Sequence, residues 1–458
     1  MSGTAGAAGK ESSGGPGAAG TGGNLATGGS SAGASGAGGS SGLAGSSGTS
    51  CANPQTSFGA IGQGDSNPNF LSGVGALGTN VMYIFSSYNP PGDGGMGSTD
   101  YEIYVQAFDP KSGASKGPSK SLFVDPTANP KTQQAYYVTS AAVAPSGEIA
   151  LLYFSQIGTG KDLYAMFLSP SAGGGSSDGG SIDGLTVQKI VLMNTNVQLA
   201  YPGSASDSFP QVVWSNTSQT FIASDKYGNS FYFLDKFSSD GQVAGSADPV
   251  PTNGTNDGTG SSVGSVGESG GLLGFAYTCA ALAGNCLTIL DENESLVGQP
   301  IVLPDTTGQG AWAAVAGTAN GFVYFYEAAG TTQFPNGFVG EAFVATSPDG
   351  GIVGGAADAG AFPGFTVGPN ATDGRAVADV VGTGGSAGVG AALLYSDGPV
   401  KFVYVNADGA GHLGPYTVIP QGGGPGTMSI TNLNGHFAIS SYTPATHSAQ
   451  VIETGICP

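Results

Sequence analysis

The sequence predicts an all-β fold, a β-propeller of seven blades with four antiparallel strands each; six or eight blades are the neighbouring solutions. Three observations predict it. Beyond residue 51 there is almost no helical period, and short apolar runs recur instead about every 8 to 15 residues with turn residues between them. A unit made of a short apolar strand, a Gly/Asn/Ser turn and a strongly hydrophobic strand occurs seven times. Its second strands start at Val81, Ile149, Phe221, Leu272, Phe322, Ala392 and Phe437, and spacings of about 45 to 72 residues suit a propeller blade with loop insertions. Solenoid coils would be shorter and more regular, and a β-sandwich has no such recurrence.

Residues 1–50 come first and read differently from the rest. They are almost entirely Gly, Ala, Ser and Thr and cannot bury enough apolar surface to offset their chain entropy, so a disordered tether is expected. Residues 51–458 form the predicted propeller domain. Its repeats run FLSGVGALGTNVMYIFSSY, TSAAVAPSGEIALLYFSQ, FPQVVWSNTSQTFIASDKY and SVGSVGESGGLLGFAYTC. AWAAVAGTANGFVYFYEA, AVADVVGTGGSAGVGAALLYSDG and MSITNLNGHFAISSYTP follow. The third repeat displays a whole blade. PQVVWS, TFIASD, SFYFLDKF and SADPVP are strands A, B, C and D in order from the channel outward, and insertions such as SPSAGGGSSDGGSIDG fall in connections, where length is tolerated.

After the last repeat only HSAQVIETG remains, enough for a C strand and no D. The short run QTSFGAIGQ, residues 55–63, is expected to supply that missing strand and close the ring. Cys51 precedes this run and Cys457 follows the last C strand. A Cys51–Cys457 disulfide would replace the missing C–D hairpin, with a chain-entropy gain on the order of 5 kcal/mol. A lipid-bearing Cys51, or two free thiols, is the alternative. Cys279 and Cys286 flank the B–C connection of the fourth repeat and predict a local staple. Two disulfides imply an oxidising compartment.

Charge narrows the function classes. With 11 Lys+Arg against 31 Asp+Glu the formal charge is −20, too few cations to neutralise many phosphates, so nucleic acid is excluded as a partner. Anionic membrane surfaces are disfavoured for the same reason. No run of 18 apolar residues predicts a membrane span, and MSGTAGAAGK lacks the basic and apolar parts of a signal peptide. A monomer is expected.

Catalytic signatures are sparse. GESGG (267–271) has the letters of a serine-protease nucleophile segment, but all three histidines, His412, His436 and His447, lie far downstream. By period it is an A–B turn. GGSAG (384–388) fits Gly-x-Ser-x-Gly in a chain where 83 glycines make such a match close to chance. Glycosidic hydrolysis needs two carboxylates at a set spacing, and the predicted inner strands offer only Asp379 and, at a strand end, Glu268. No cofactor is expected. Calcium has weak candidates in NPPGDGGMGSTD (89–100) and DENES (291–295), neither in a calcium-loop register.

Binding is therefore expected on loops. D–A and B–C connections share one end of a propeller, and there 86–100, 194–208 and 328–337 carry Tyr88, Tyr201 and Phe334 among Asn, Gln and Ser. Such rings stack on sugars or anchor a protein.

The seven apolar–turn–apolar units, with turns such as APSG (144–147) and SPDG (347–350), resemble those of secreted bacterial β-propeller proteins. The Gly/Ala/Ser leader resembles the spacer of bacterial surface lipoproteins. The resemblance implies an extracellular or outer-surface location. The expected function is non-catalytic recognition of a polysaccharide or protein; the alternative is a glycan hydrolase or lyase using carboxylates at the central channel.

Overall fold

The computed structural model describes the strands between Phe70 and Gly455 and some of the shorter turns that join them, but not such turns as 78–79, 158–159, 228–230, 280–283, 434–435 and 444–447. Residues 1–69, 456–458 and the longer connections, among them 89–100, 171–184, 196–209, 251–264, 364–377 and 420–427, lie outside the described residues.

The strands sort into antiparallel sheets in chain order. The first holds β1–β4 (Phe70–Leu77, Asn80–Tyr88, Tyr101–Phe108, Lys120–Val124) and the second β5–β8 (Ala135–Val143, Ile149–Ile157, Gly160–Pro170, Leu185–Asn194). The third holds β9–β12 (Val212–Ser215, Thr220–Tyr227, Phe231–Phe237, Asp248–Pro249) and the fourth β13–β16 (Ser265–Ser269, Leu272–Cys279, Gly284–Leu290, Ile301–Val302). The fifth holds β17–β20 (Ala313–Thr318, Gly321–Ala328, Phe338–Thr346, Ile352–Pro363) and the sixth β21–β24 (Ala378–Gly382, Gly390–Ser396, Val400–Asn406, His412–Ile419). A last sheet has β25–β27 (Met428–Leu433, His436–Thr443, Ser448–Gly455). Within each sheet neighbours in sequence are neighbours in space, and the first strands β5, β9, β13, β17 and β21 lie successively side by side. The fold is a β-propeller of blades with three or four antiparallel strands. Every predicted second-strand anchor falls within two residues of an observed strand start.

Both faces of a blade are buried, which explains why the B and C strands read as continuous apolar runs rather than alternating ones. On β10, Phe221 and Ala223 pack toward the second blade with Phe167 and Leu163, while Ile222 packs toward the fourth with Phe275 and Val266. The same division recurs between the fourth and fifth blades and between the fifth and sixth.

Near the channel the packing is tighter and polar. Small inner-strand residues allow backbones to approach: a Cβ on Gly317 would lie 1.6 Å from the Glu268 carbonyl oxygen. Hydroxyls then tie blade to blade. Ser140 Oγ accepts from Val212 N at 3.2 Å, Thr139 Oγ1 donates to the Pro210 carbonyl at 3.2 Å, and Ser269 Oγ donates to the Thr318 carbonyl at 2.6 Å.

One hairpin turn is used repeatedly. In 144–148, 238–242 and 291–295 the first residue's N–H bonds the fifth residue's carbonyl, and the fourth N–H bonds the first carbonyl. The fourth position has positive φ, which suits Gly147 and Gly241, but in the fourth blade Glu294 occupies it at φ 60°.

Two sequence expectations meet this architecture with a difference. The B–C connection of the first blade begins after Tyr88, because the aromatic run continues β2 to that residue, paired with Tyr101. Cys279 and Cys286 are not directly opposed: Cys279 pairs with Gly284 and Cys286 with Tyr277, a diagonal relation on adjacent strands. The last sheet shows three strands among the described residues, while Cys51, Cys457 and the run 55–63 lie outside them.

Candidate functional site

Antiparallel A–B–C–D order places the A–B and C–D turns at one end of every blade and the B–C and D–A connections at the other. At the second end, between the second and third blades, lies a cleft of about 350 Å³. Its outer wall is the end of β8, with Leu192 and Met193 followed by Asn194 and Thr195; its inner wall is β10 and β11, with Asp225, Phe233 and Asp235. The strand register explains the grouping. Asp225 pairs with Phe233 and Ala223 with Asp235, so the two carboxylates stand diagonally on one face. That face also carries Phe221 and looks toward the second blade.

Asp225 is only 4 % exposed, and its Oδ2 accepts a hydrogen bond from Asn194 Nδ2 at 2.9 Å across the blade boundary. Asp235 is pushed up to about 7, first by burial and then by the negative charges of Asp225 and Glu294. Near neutral pH the cleft thus presents one carboxyl group that exchanges between donor and acceptor forms. Beside it are a second carboxyl with its amide partner and the Phe233 ring. Exposed Leu192 and partly buried Met193 add an apolar wall. The arrangement can hydrogen-bond hydroxyls and pack apolar C–H faces at once.

Of the residues expected from sequence, Glu268 is the best described, and its role is local. Its Oε1 accepts from Gly271 N and Thr217 Oγ1, each at 3.2 Å, closing the Gly270–Gly271 turn onto the neighbouring blade. Burial holds its pKa above the usual value, while those two hydrogen bonds oppose the rise. GESGG is the A–B turn its period implied, with φ of 58° and 88° at Gly270 and Gly271. Asp379 lies on β21 opposite Leu394; its side chain, like that of Tyr88, is outside the described residues, as are Tyr201 and Phe334 entirely. In DENES, Asp291 Oδ1 accepts the backbone N–H groups of Asn293 and Ser295 at 2.9 and 2.8 Å, which is turn formation rather than metal ligation. Among the described residues no group of three His, Cys, Asp or Glu side chains could hold a metal ion.

The cleft residues other than Asn194 and Thr195, which open the expected D–A loop, escaped sequence reasoning. The available signal was a carboxylate inside each of two aromatic-rich strands, FIASDKY and FYFLDKF. Strands disfavour Asp, and its presence there marks a local polar environment.

No family model matches this chain, and no curated protein sequence matches it. Solved structures do. A Trypanosoma rangeli sialidase in complex with sialic acid is similar at 9 % identity and a TM-score of 0.39, over 87 % of this chain and 57 % of the sialidase. Hydrazine synthase of Kuenenia stuttgartiensis is similar at 11 % identity and a TM-score of 0.42, over 86 % and 99 %. The β-propeller domain of the Trilobed protease from Pyrococcus furiosus is similar at 8 % identity and a TM-score of 0.39, over 85 % and 95 %. This chain spans little more than half of the sialidase's length.

Proposed function

We propose that this chain is an extracellular or surface-exposed recognition propeller that binds a polysaccharide at the B–C/D–A end, in the cleft between the second and third blades. The observation that carries the reading is the combination in that cleft of the Asn194–Asp225 pair, Asp235 and the Phe233 ring. Sugars offer hydroxyls to the first three and C–H faces to the last, and a cleft of about 350 Å³ suits one or two sugar units better than a protein surface. The scarcity of lysine and arginine fits a hydroxyl-rich ligand and opposes a polyanionic one.

A second reading follows from the same carboxylates. Two neighbouring acids, one of them held near 7, are what a glycoside hydrolase needs for acid and base roles. The site of that reading is the cleft between blades rather than the central channel. Retention of the purified chain on immobilised polysaccharides, with products assayed, separates the two. Binding without cleavage, lost on Asp225→Ala or Phe233→Ala, supports recognition; cleavage lost on Asp225→Asn supports hydrolysis; no retention on any polysaccharide overturns both.

The ring itself is proposed to have seven blades, the last completed by residues 55–63 and clasped by Cys51–Cys457, with Cys279–Cys286 as a second bridge. The observations in favour are the three-stranded last sheet and the position of β1 beside β25. Residues 1–50 serve as the tether. Mapping of non-reduced peptides tests both bridges, and free thiols at Cys51 and Cys457 would rule out the clasp.

A further inference from the structure

Two Asn-x-Ser sequences lie among the described residues, and both sit on exposed turn tips at the A–B/C–D end, away from the cleft. Asn216-Thr217-Ser218 joins β9 to β10, and Asn293-Glu294-Ser295 joins β15 to β16. The two turns are neighbours, since Thr217 and Glu292 both border Gly271. Asn-x-Ser with any central residue but proline is the acceptor pattern for N-linked glycans, and it functions only on accessible turns.

The two sites differ in their hydroxyls. Ser218 Oγ is engaged with Thr220 Oγ1 at 2.6 Å. The turn around Asn293 is held by backbone groups and Asp291 Oδ1, and both Asn293 and Ser295 are exposed on it. We propose that Asn293 is an N-linked glycosylation acceptor.

In the reaction Asn293 Nδ2 attacks the anomeric carbon of a polyprenyl-pyrophosphate-linked oligosaccharide and displaces the pyrophosphate. The N–C1 bond forms and the C1–O bond breaks. Its electron pair leaves with the polyprenyl pyrophosphate, one amide proton is lost, and no redox change occurs. The glycan would cover the A–B/C–D end and leave the B–C/D–A end open for ligand. The inference rests on the extracellular location proposed above.

The test uses full-length protein recovered from the cells that naturally make it, fractionated into medium, envelope and cytosol, with peptides spanning Asn293 and Asn216 weighed separately. The expected result is exported protein whose Asn293 peptide carries whole saccharide residues, lost in Asn293→Gln and retained in Asn216→Gln. Exported protein with an unmodified Asn293 peptide, or with glycan at Asn216 alone, overturns the proposal while leaving the location intact. Protein confined to the cytosol overturns the location and this inference together.

Discussion

Ser265 Oγ lies 3.0 Å from the backbone nitrogen of Val315 and accepts its proton, while the same hydroxyl donates to Gln211 Oε1. One side chain of the fourth blade thus bonds the third and the fifth at once. Ser265 is buried, and so is Gln211, so neither partner has water as a substitute. Ser265→Ala should therefore strand both groups and destabilise the fold by about 1–3 kcal/mol. Urea unfolding measures this; a change below a few tenths would mean that the ring of hydroxyl bonds does not hold the blades together.

The closest backbone approach gives a sharper contrast. Gly317→Ala would place a Cβ against the Glu268 backbone, which cannot rotate away, whereas a Cβ on Gly355 meets nothing within 4 Å. The first variant should fail to fold or melt far below the parent, and the second should be nearly neutral. Circular dichroism and thermal melts of the two, made in parallel, decide it.

Asp235 makes stability depend on pH in an unusual direction. Its folded value of about 7 exceeds the ordinary 3.8, so the folded state binds the proton more tightly than the unfolded chain. Its protonated form is fully tolerated below about pH 4. Stability then falls as pH rises toward and through 7, by on the order of a few kcal/mol. Asp235→Asn should remove that slope, stabilising the protein at pH 8 and changing little at pH 4. Melting temperatures across this range check the sign.

Glu294 couples into the same equilibrium from another blade. Lys236 Nζ bonds its Oε1 at 2.9 Å and the Glu292 carbonyl at 2.7 Å, which holds a non-glycine residue at φ 60°. Glu294→Gly would relieve about 1–2 kcal/mol of backbone strain, cost a largely buried ion pair worth on the order of 1–3 kcal/mol, and remove a negative charge near Asp235. Net stability should fall by no more than about 2 kcal/mol, and the pH midpoint assigned to Asp235 should move down. An unmoved midpoint would show that burial and Asp225 alone set it.

Ligand binding carries its own expectation. Asp225→Ala also removes an acceptor of Asn194 and should abolish polysaccharide retention, with Phe233→Ala weakening it at least tenfold. Asn293→Gln, at the other end of the propeller, should leave retention unchanged. Affinity chromatography of the three variants on one polysaccharide reads this directly.

What the sequence determined by itself is the architecture. FIAS, LLYFS and VYFY are apolar on both faces because each blade is buried between two others, and turn residues such as APSG and SSDGQ recur where a tight hairpin must have positive φ. Both signals are local in the chain, so they survive without coordinates. The pairing of Asp225 with Asn194, the diagonal meeting of Asp225 with Asp235, and the bonding of Ser265 across two blades were decided only by the tertiary structure. Their partners lie on different strands and, for two of them, different blades, 31 residues apart for Asn194 and Asp225. Register and blade packing, not sequence proximity, bring them within a hydrogen bond. Glu268 shows the converse: an acid on an inner strand reads as a channel carboxylate until the turn it closes, Gly270–Gly271, and its partner Thr217 on the next blade show where its charge is spent.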